Sequence, residues 1–180
     1  MKIIKIVVLI LILGLIYILI KVPIRRAYYD YKYNAEIKDK IKWEKDLSLK
    51  WTDFRYSETK TPYTQVGFGN RYEFNIDWDI DYKSVTLFYP LDSYIDDTTS
   101  VDNLEMQQYR FDLCEIYRRK LETKIRSMNY KDFPSSSADS VDINSGLYYD
   151  QFEQEWDRIV NLPTNERLIK FRSIKDELNK

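Results

Sequence analysis

Apolar residues fill positions 3–20 with only Lys5 and Gly14 interrupting, and the unbroken core, 6–20, is 15 residues long. A helix of about 18–20 apolar residues spans a bilayer core, so the pattern predicts an N-terminal transmembrane anchor over residues 1–24. A cleaved signal peptide is the rival, its apolar region being about 7–15 residues long. The following Ile20-Lys-Val-Pro-Ile-Arg-Arg lacks the small residues a cleavage site needs, and no cysteine follows for lipid attachment. Residues 25–40, rich in Arg, Tyr and Lys, read as a juxtamembrane helix with interfacial tyrosines.

Beyond it the period changes. Ile41 and Trp43 alternate in a short strand, and Leu47, Leu49, Trp51 and Phe54 read as a strand entering a turn. From Tyr72 to Tyr82 the large residues Tyr72, Phe74, Ile76, Trp78, Ile80 and Tyr82 fall on one parity, with Glu, Asn and Asp on the other. Strict alternation with one wet face predicts antiparallel strand. Val85, Leu87 and Tyr89 then change parity, which predicts a turn or bulge within 79–83. Pro90 ends the second strand.

A polar loop precedes a helix opened by Asp102. Leu104, Phe111, Cys114, Leu121, Ile125 and Met128 form one apolar stripe at helical steps, with Arg118, Arg119 and Lys120 in the second half. Residues 132–145 read as a Ser-rich loop and 146–161 as a helix. Pro163 breaks that helix, and a last one begins at Thr164 as its cap. The expected architecture is α+β, with the soluble domain over 41–180.

Charge alters this picture in one respect. Lys2, Lys5, Lys21, Arg25 and Arg26 flank the first apolar run; without them 23 basic residues face 29 acidic ones, a balance of −6. That argues against nucleic acid as a partner, because phosphate neutralisation needs a basic face. The chain has one cysteine and no histidine. It therefore forms no intrachain disulfide, and it lacks both the commonest zinc ligand and the commonest general base.

Several chemistries can be weighed residue by residue. Asp77, Asp79 and Asp81 have the spacing of a calcium loop, but Tyr82 and Phe88 stand where that loop wants Gly and Glu; they read as the polar face of a strand. Cys114 lies on the apolar stripe and reads as a packed core thiol. Ser135, Ser136 and Ser137 read as loop residues rather than nucleophiles. No spacing selects a carboxylate pair for glycosidic chemistry.

In order, a Leu-x-Trp-x-Asp-Phe phrase (residues 49–54), two strands ending in Phe88-Tyr-Pro-x-x-Ser-Tyr94, and a helix carrying Met106-Gln-Gln-Tyr-Arg-Phe-Asp112 form a set. The set resembles a bacterial family of secreted zinc-dependent proteases known as domain of unknown function 922, over roughly residues 47–125. That resemblance implies a zincin-like fold: a small antiparallel sheet on a former active-site helix, with C-terminal helices behind it. It also implies export, so the domain is expected outside the cytoplasm. The basic residues flanking the apolar run, counted by the positive-inside rule, argue for the cytoplasm instead.

The departures fall on the reactive positions. Two imidazoles at i and i+4 with a glutamate beside the first make a zinc-peptidase helix. Here the ligand positions hold Met106, a soft thioether, and Arg110, a permanent cation; the base position holds Gln107. No metal or other cofactor is expected, and no peptidase activity. Arg110 instead is expected to pair with a carboxylate of the old site, Asp150, Glu153 or Glu155, or else to stand solvated. Gln108, Arg110, Asp112 and Glu115 are the expected binding residues. The expected function is a membrane-anchored, catalytically inactive peptidase-like domain that binds a peptide or protein. The rivals are a structural envelope protein without a cleft and a hydrolase of another class.

Overall fold

The computed structural model describes residues 2–60, 62–75 and 77–179, with the side chains at 2–9, 11, 15, 18–20, 22 and 135 outside that description. The chain divides into two compact units, 1–36 and 37–180. Helix α1, Lys2–Ile37, runs without interruption from the expected anchor into the expected juxtamembrane helix and stops three residues short of that segment's end, with Pro23 inside it. The two expected segments are thus one continuous helix. Among the described residues no helix is long and apolar enough to cross a membrane; the 3–20 span lies largely on side chains outside the description.

The second unit is mixed α and β. Strands β1 (Ile41–Lys42), β2 (Arg55–Tyr56), β3 (Val66–Phe74), β4 (Ile80–Phe88) and β5 (Tyr94–Ile95) precede helices α2 (Val101–Ser127), α3 (Ser137–Val160) and α4 (Thr164–Leu178). A three-stranded antiparallel sheet has the order β1-β4-β3, and β2 pairs with β5 in parallel beside it.

The hairpin corrects the expected turn. β3 and β4 pair in unbroken register from Val66↔Phe88 to Phe74↔Ile80, so the reversal occupies residues 75–79. The Asn75 side-chain oxygen accepts from the amides of Asp77 and Asp79, both at 2.9 Å. Trp78 adopts a positive φ of 62°. These bonds place Asp77 and Asp79 in the turn, while Asp81 lies on β4 opposite Glu73, 3.6 Å from the Arg71 guanidinium, as the strand reading expected. Ile76, part of the expected alternation, lies outside the described residues. No bulge explains the parity change at Val85 and Leu87. The even face, with Thr86 and Phe88, meets α2, and the odd face is covered too: a Cβ built on Gly69 would lie 2.8 Å from Leu87, 3.2 Å from Val85 and 3.4 Å from Ile37. Because that space is filled, Gly69→Ala is expected to cost about 1–3 kcal/mol by overpacking. Chemical denaturation measures this; a neutral substitution would show that the Leu87 side chain yields freely.

Residues 47–54 form no strand; a 3-10 turn occupies Trp51–Asp53, with the Asp53 carboxylate accepting from the Lys50 amide at 2.7 Å. Helix α2 begins one turn position earlier than Asp102: the Ser100 hydroxyl caps it, accepting from the Asn103 amide. Its stripe packs as expected, with Phe111, Cys114, Leu121 and Ile125 fully buried. Yet every residue from Tyr109 to Ile116 is buried, charged ones included. The helix is enclosed by the sheet on one side and by α3 and α4 on the others, where Tyr109 stacks on Phe171 at 4.0 Å.

Helix α3 starts nine residues before the expected boundary. Its first turns hold Ser and Asn, which satisfy themselves by bonding back to the preceding turn: Ser140 to the Ser136 carbonyl, Ser145 to Val141 and Asn144 to Ser140. Burial of Val141 supplies the tertiary anchor. Ser137 is likewise buried, its hydroxyl bonded to the Phe133 carbonyl. The last helix does begin at Thr164, with Pro163 rather than Thr164 in the capping position.

Candidate functional site

At about 100° per residue, positions 103, 106, 107 and 110 share one face of α2, and 108, 112 and 115 share the opposite one. The first face borders a cleft of about 400 Å³. Its walls are the segment 62–64, the residues after β5 (Asp96, Asp97) and α3 (Glu153, Trp156, Asp157).

Arg110 closes the floor. It is 5% exposed. Its Nε donates to the Thr64 carbonyl at 3.0 Å, and one terminal nitrogen donates to both Glu153 carboxylate oxygens at 2.7 and 2.8 Å. The guanidinium lies 5.1 Å from the Phe152 ring, 5.4 Å from Trp156 and 5.9 Å from Tyr63, an aromatic box for a planar cation. Of the three expected partners Glu153 is the one that pairs. Glu155 instead holds Arg158, and Asp150 is exposed. A solvated Arg110 is overturned.

Gln107 bonds through its side-chain oxygen to the Thr64 hydroxyl, and Met106 is half-buried against the core. These three positions thus converge on one cleft. Around them stand Asp96, Asp97 and Asp157, none of which forms an ion pair among the described residues. Hydrogen bonds from the Thr99 hydroxyl and amide hold the Asp97 carboxyl below its ordinary range. With Arg110 neutralised by Glu153, the cleft is left acidic. Among the described residues no group of three or more Cys, Asp or Glu side chains is arranged to hold a metal ion.

The outward edge of the chain beside the cleft is occupied as well. The Tyr63 amide and carbonyl pair with Tyr94, and the Gln65 carbonyl accepts from the Tyr89 amide. Thr64 and Val66 therefore point the other way. The Thr64 carbonyl goes to Arg110 and the Val66 carbonyl to the Tyr149 hydroxyl at 3.1 Å.

Gln108, Asp112 and Glu115 lie away from the cleft, so the structure does not bring the expected binding set together. The Gln108 oxygen accepts from the Leu49 amide at 2.8 Å, and its nitrogen donates to Asp112 at 2.9 Å. The Trp43 indole donates to the same Asp112 oxygen at 2.8 Å. Burial pushes the Asp112 carboxyl up despite these bonds. Glu115 is 4% exposed and accepts from Thr86, Arg118 and Arg119. Burial opposes its ionisation, but the two guanidiniums and the hydroxyl outweigh that and hold its carboxyl below the ordinary range. These three residues tie α2 to the sheet and to the segment 43–49. Only Arg110 of the set reaches the cleft.

Cys114 is fully buried in the core, where burial pushes its thiol well up. Sequence reasoning missed Tyr63, Thr64, Asp96 and Asp97, which belong to segments with no periodic signal, and Asp157, which lies on the expected helix 146–161 but was not singled out. Compared with protein-family models, curated proteins and solved structures, the chain matches none.

Proposed function

We propose that the chain is a membrane-anchored, non-catalytic peptidase-like domain that binds a peptide or protein segment in the cleft beside Met106, Gln107 and Arg110. One observation carries the reading. The three positions that would bear zinc chemistry in the resembled family line a single cleft of about 400 Å³, with Arg110 and Glu153 joined across its floor. On the resemblance, the second ligand position of the motif carries a cation, Arg110, held by a carboxylate and an aromatic box.

The chemistry of the walls selects the partner. Asp96, Asp97 and Asp157 form no ion pair among the described residues, so a segment bearing lysine or arginine is the complementary guest. The Thr64 and Val66 carbonyls are already taken, so recognition runs through side chains in the cleft and not through added strand pairing. The domain is proposed to lie outside the cytoplasm, as the resemblance implies.

The test is titration of the purified chain with a short lysine-rich peptide and with its glutamate counterpart, followed by tryptophan fluorescence, since Trp156 lines the cleft. Saturable binding of the basic peptide alone, weakened at least about tenfold in Asp97→Asn/Asp157→Asn, is the expected result. Equal binding of both peptides, or no loss in the double variant, would refute the proposed cleft. Turnover of casein with stoichiometric zinc in the purified chain would refute the non-catalytic reading.

A further inference from the structure

The first 29 residues hold five basic residues and no acidic one, whereas the remainder carries 23 basic against 29 acidic. Within that basic stretch α1 presents a distinct face. Tyr17, Lys21, Ile24, Arg25, Tyr28 and Tyr29 follow steps of three, four and seven, and their side chains enclose an open groove of about 510 Å³. Lys21 lies over the Tyr17 ring at 5.2 Å and Arg25 over Tyr29 at 5.6 Å. Tyr28 meets Tyr29 edge-on at 5.6 Å. Lys21 and Arg25 are themselves four residues apart and so are neighbours on the helix surface. Neither forms an ion pair among the described residues, and Tyr17, Ile24 and Tyr28 are exposed.

We propose that this face is a collar that binds the headgroups of anionic phospholipids; the inference rests on the reading of residues 3–20 as a membrane anchor. Two adjacent cations suit one phosphodiester, and the tyrosine rings and Ile24 suit the glycerol and upper acyl region. A zwitterionic headgroup brings its own ammonium to the same cations and gains less. Each basic residue near an anionic bilayer surface favours it by about fivefold. The acidic remainder of the chain has no comparable attraction, and within the basic stretch Lys21 and Arg25 are the two cations that share the tyrosine-lined groove, so the preference is assigned to them.

The experiment reconstitutes the full chain in vesicles of equal phosphatidylglycerol and phosphatidylcholine, extracts it in mild detergent and quantifies the lipid that stays with it. The expected result is phosphatidylglycerol enriched about fivefold or more over its bulk share. Enrichment should fall to the bulk share in Lys21→Gln/Arg25→Gln and persist in the control Lys45→Gln/Lys50→Gln. Bulk proportions in the wild type, or enrichment that survives the Lys21→Gln/Arg25→Gln change, would overturn the collar. Flotation separates the two ideas. An anchored chain floats with pure phosphatidylcholine vesicles in high salt. A chain that floats only with phosphatidylglycerol vesicles, and is released by salt, would refute the anchor and with it the collar that rests on it, whereas bulk lipid proportions in a chain that floats in high salt would overturn the collar alone.

Discussion

Glu153→Ala is expected to cost about 3–5 kcal/mol of folding stability, more than Arg110→Met at about 1–2 kcal/mol, although the two remove partners of one ion pair. The asymmetry comes from burial. The Arg110 side chain is 6% exposed and that of Glu153 is 30% exposed. Removing Glu153 leaves a cation enclosed by Phe152, Trp156 and Tyr63, with one carbonyl as its acceptor. Removing Arg110 leaves a part-exposed carboxylate lining the cleft, where water reaches it, and methionine keeps most of the buried stem. The combined variant Arg110→Met/Glu153→Ala should be more stable than Glu153→Ala alone, because the second change removes the stranded charge. Urea denaturation of the four proteins supplies the cycle. If Arg110→Met proved the costlier single change, the enclosed-cation account would be wrong.

The second large effect concerns Glu115. It is the acceptor for two guanidiniums and a buried hydroxyl, so Glu115→Gln should lose about 3 kcal/mol or more at neutral pH. Its pH dependence follows from linkage. The folded-state carboxyl is held below its unfolded value, so the native state binds fewer protons, and the stabilisation is complete above about pH 4.3, the ordinary glutamate value. It is lost as pH falls through the lower folded value. The gap between wild type and variant should therefore narrow on acidification. Asp112 works in the opposite sense. Burial raises its folded pKa, so protonation as pH falls through that raised value favours the native state. Asp112→Asn keeps the oxygen that Trp43 and Gln108 use, and should be neutral or stabilising at pH 7. Acid-unfolding curves of the three proteins decide the matter; a gap between wild type and Glu115→Gln that stays constant down to acid pH would contradict the linkage.

The residues explain what could be read in advance. The α2 stripe was legible because Phe111, Cys114, Leu121 and Ile125 are apolar at helical steps and buried as such. The enclosure of its other faces was not, because Arg110, Asp112 and Glu115 look like surface residues until partners distant in sequence arrive. The hairpin turn was hidden by its register. Paired residue numbers sum to an even value, as in Tyr72↔Tyr82 and Phe74↔Ile80, so one parity stays on one face through the reversal and imitates a single long strand. The start of α3 was hidden by serines, which favour loops unless their hydroxyls bond back along a helix that packing supports.

In the candidate site the pairing of Arg110 with an acidic residue of the following helix was suggested by the resemblance, with a solvated Arg110 as its alternative, and the structure selects Glu153. The cleft was not legible. Its other walls come from Tyr63, Thr64, Asp96 and Asp97, brought together by the Tyr63–Tyr94 bridge and the parallel pairing of β2 with β5. Neither leaves a periodic trace in segments this short.

The bonds to the Thr64 and Val66 carbonyls also bear on self-association. An uncovered strand edge templates pairing between chains and, in the limit, fibrous polymers. Here the covering donors come from residues 46 and 83 positions later in the chain. They reach the edge only where α2 and α3 are docked, so a hairpin without its helices would present these carbonyls open to a second strand. The covering of these two carbonyls is thus a product of tertiary docking, supplied by Arg110 from α2 and Tyr149 from α3.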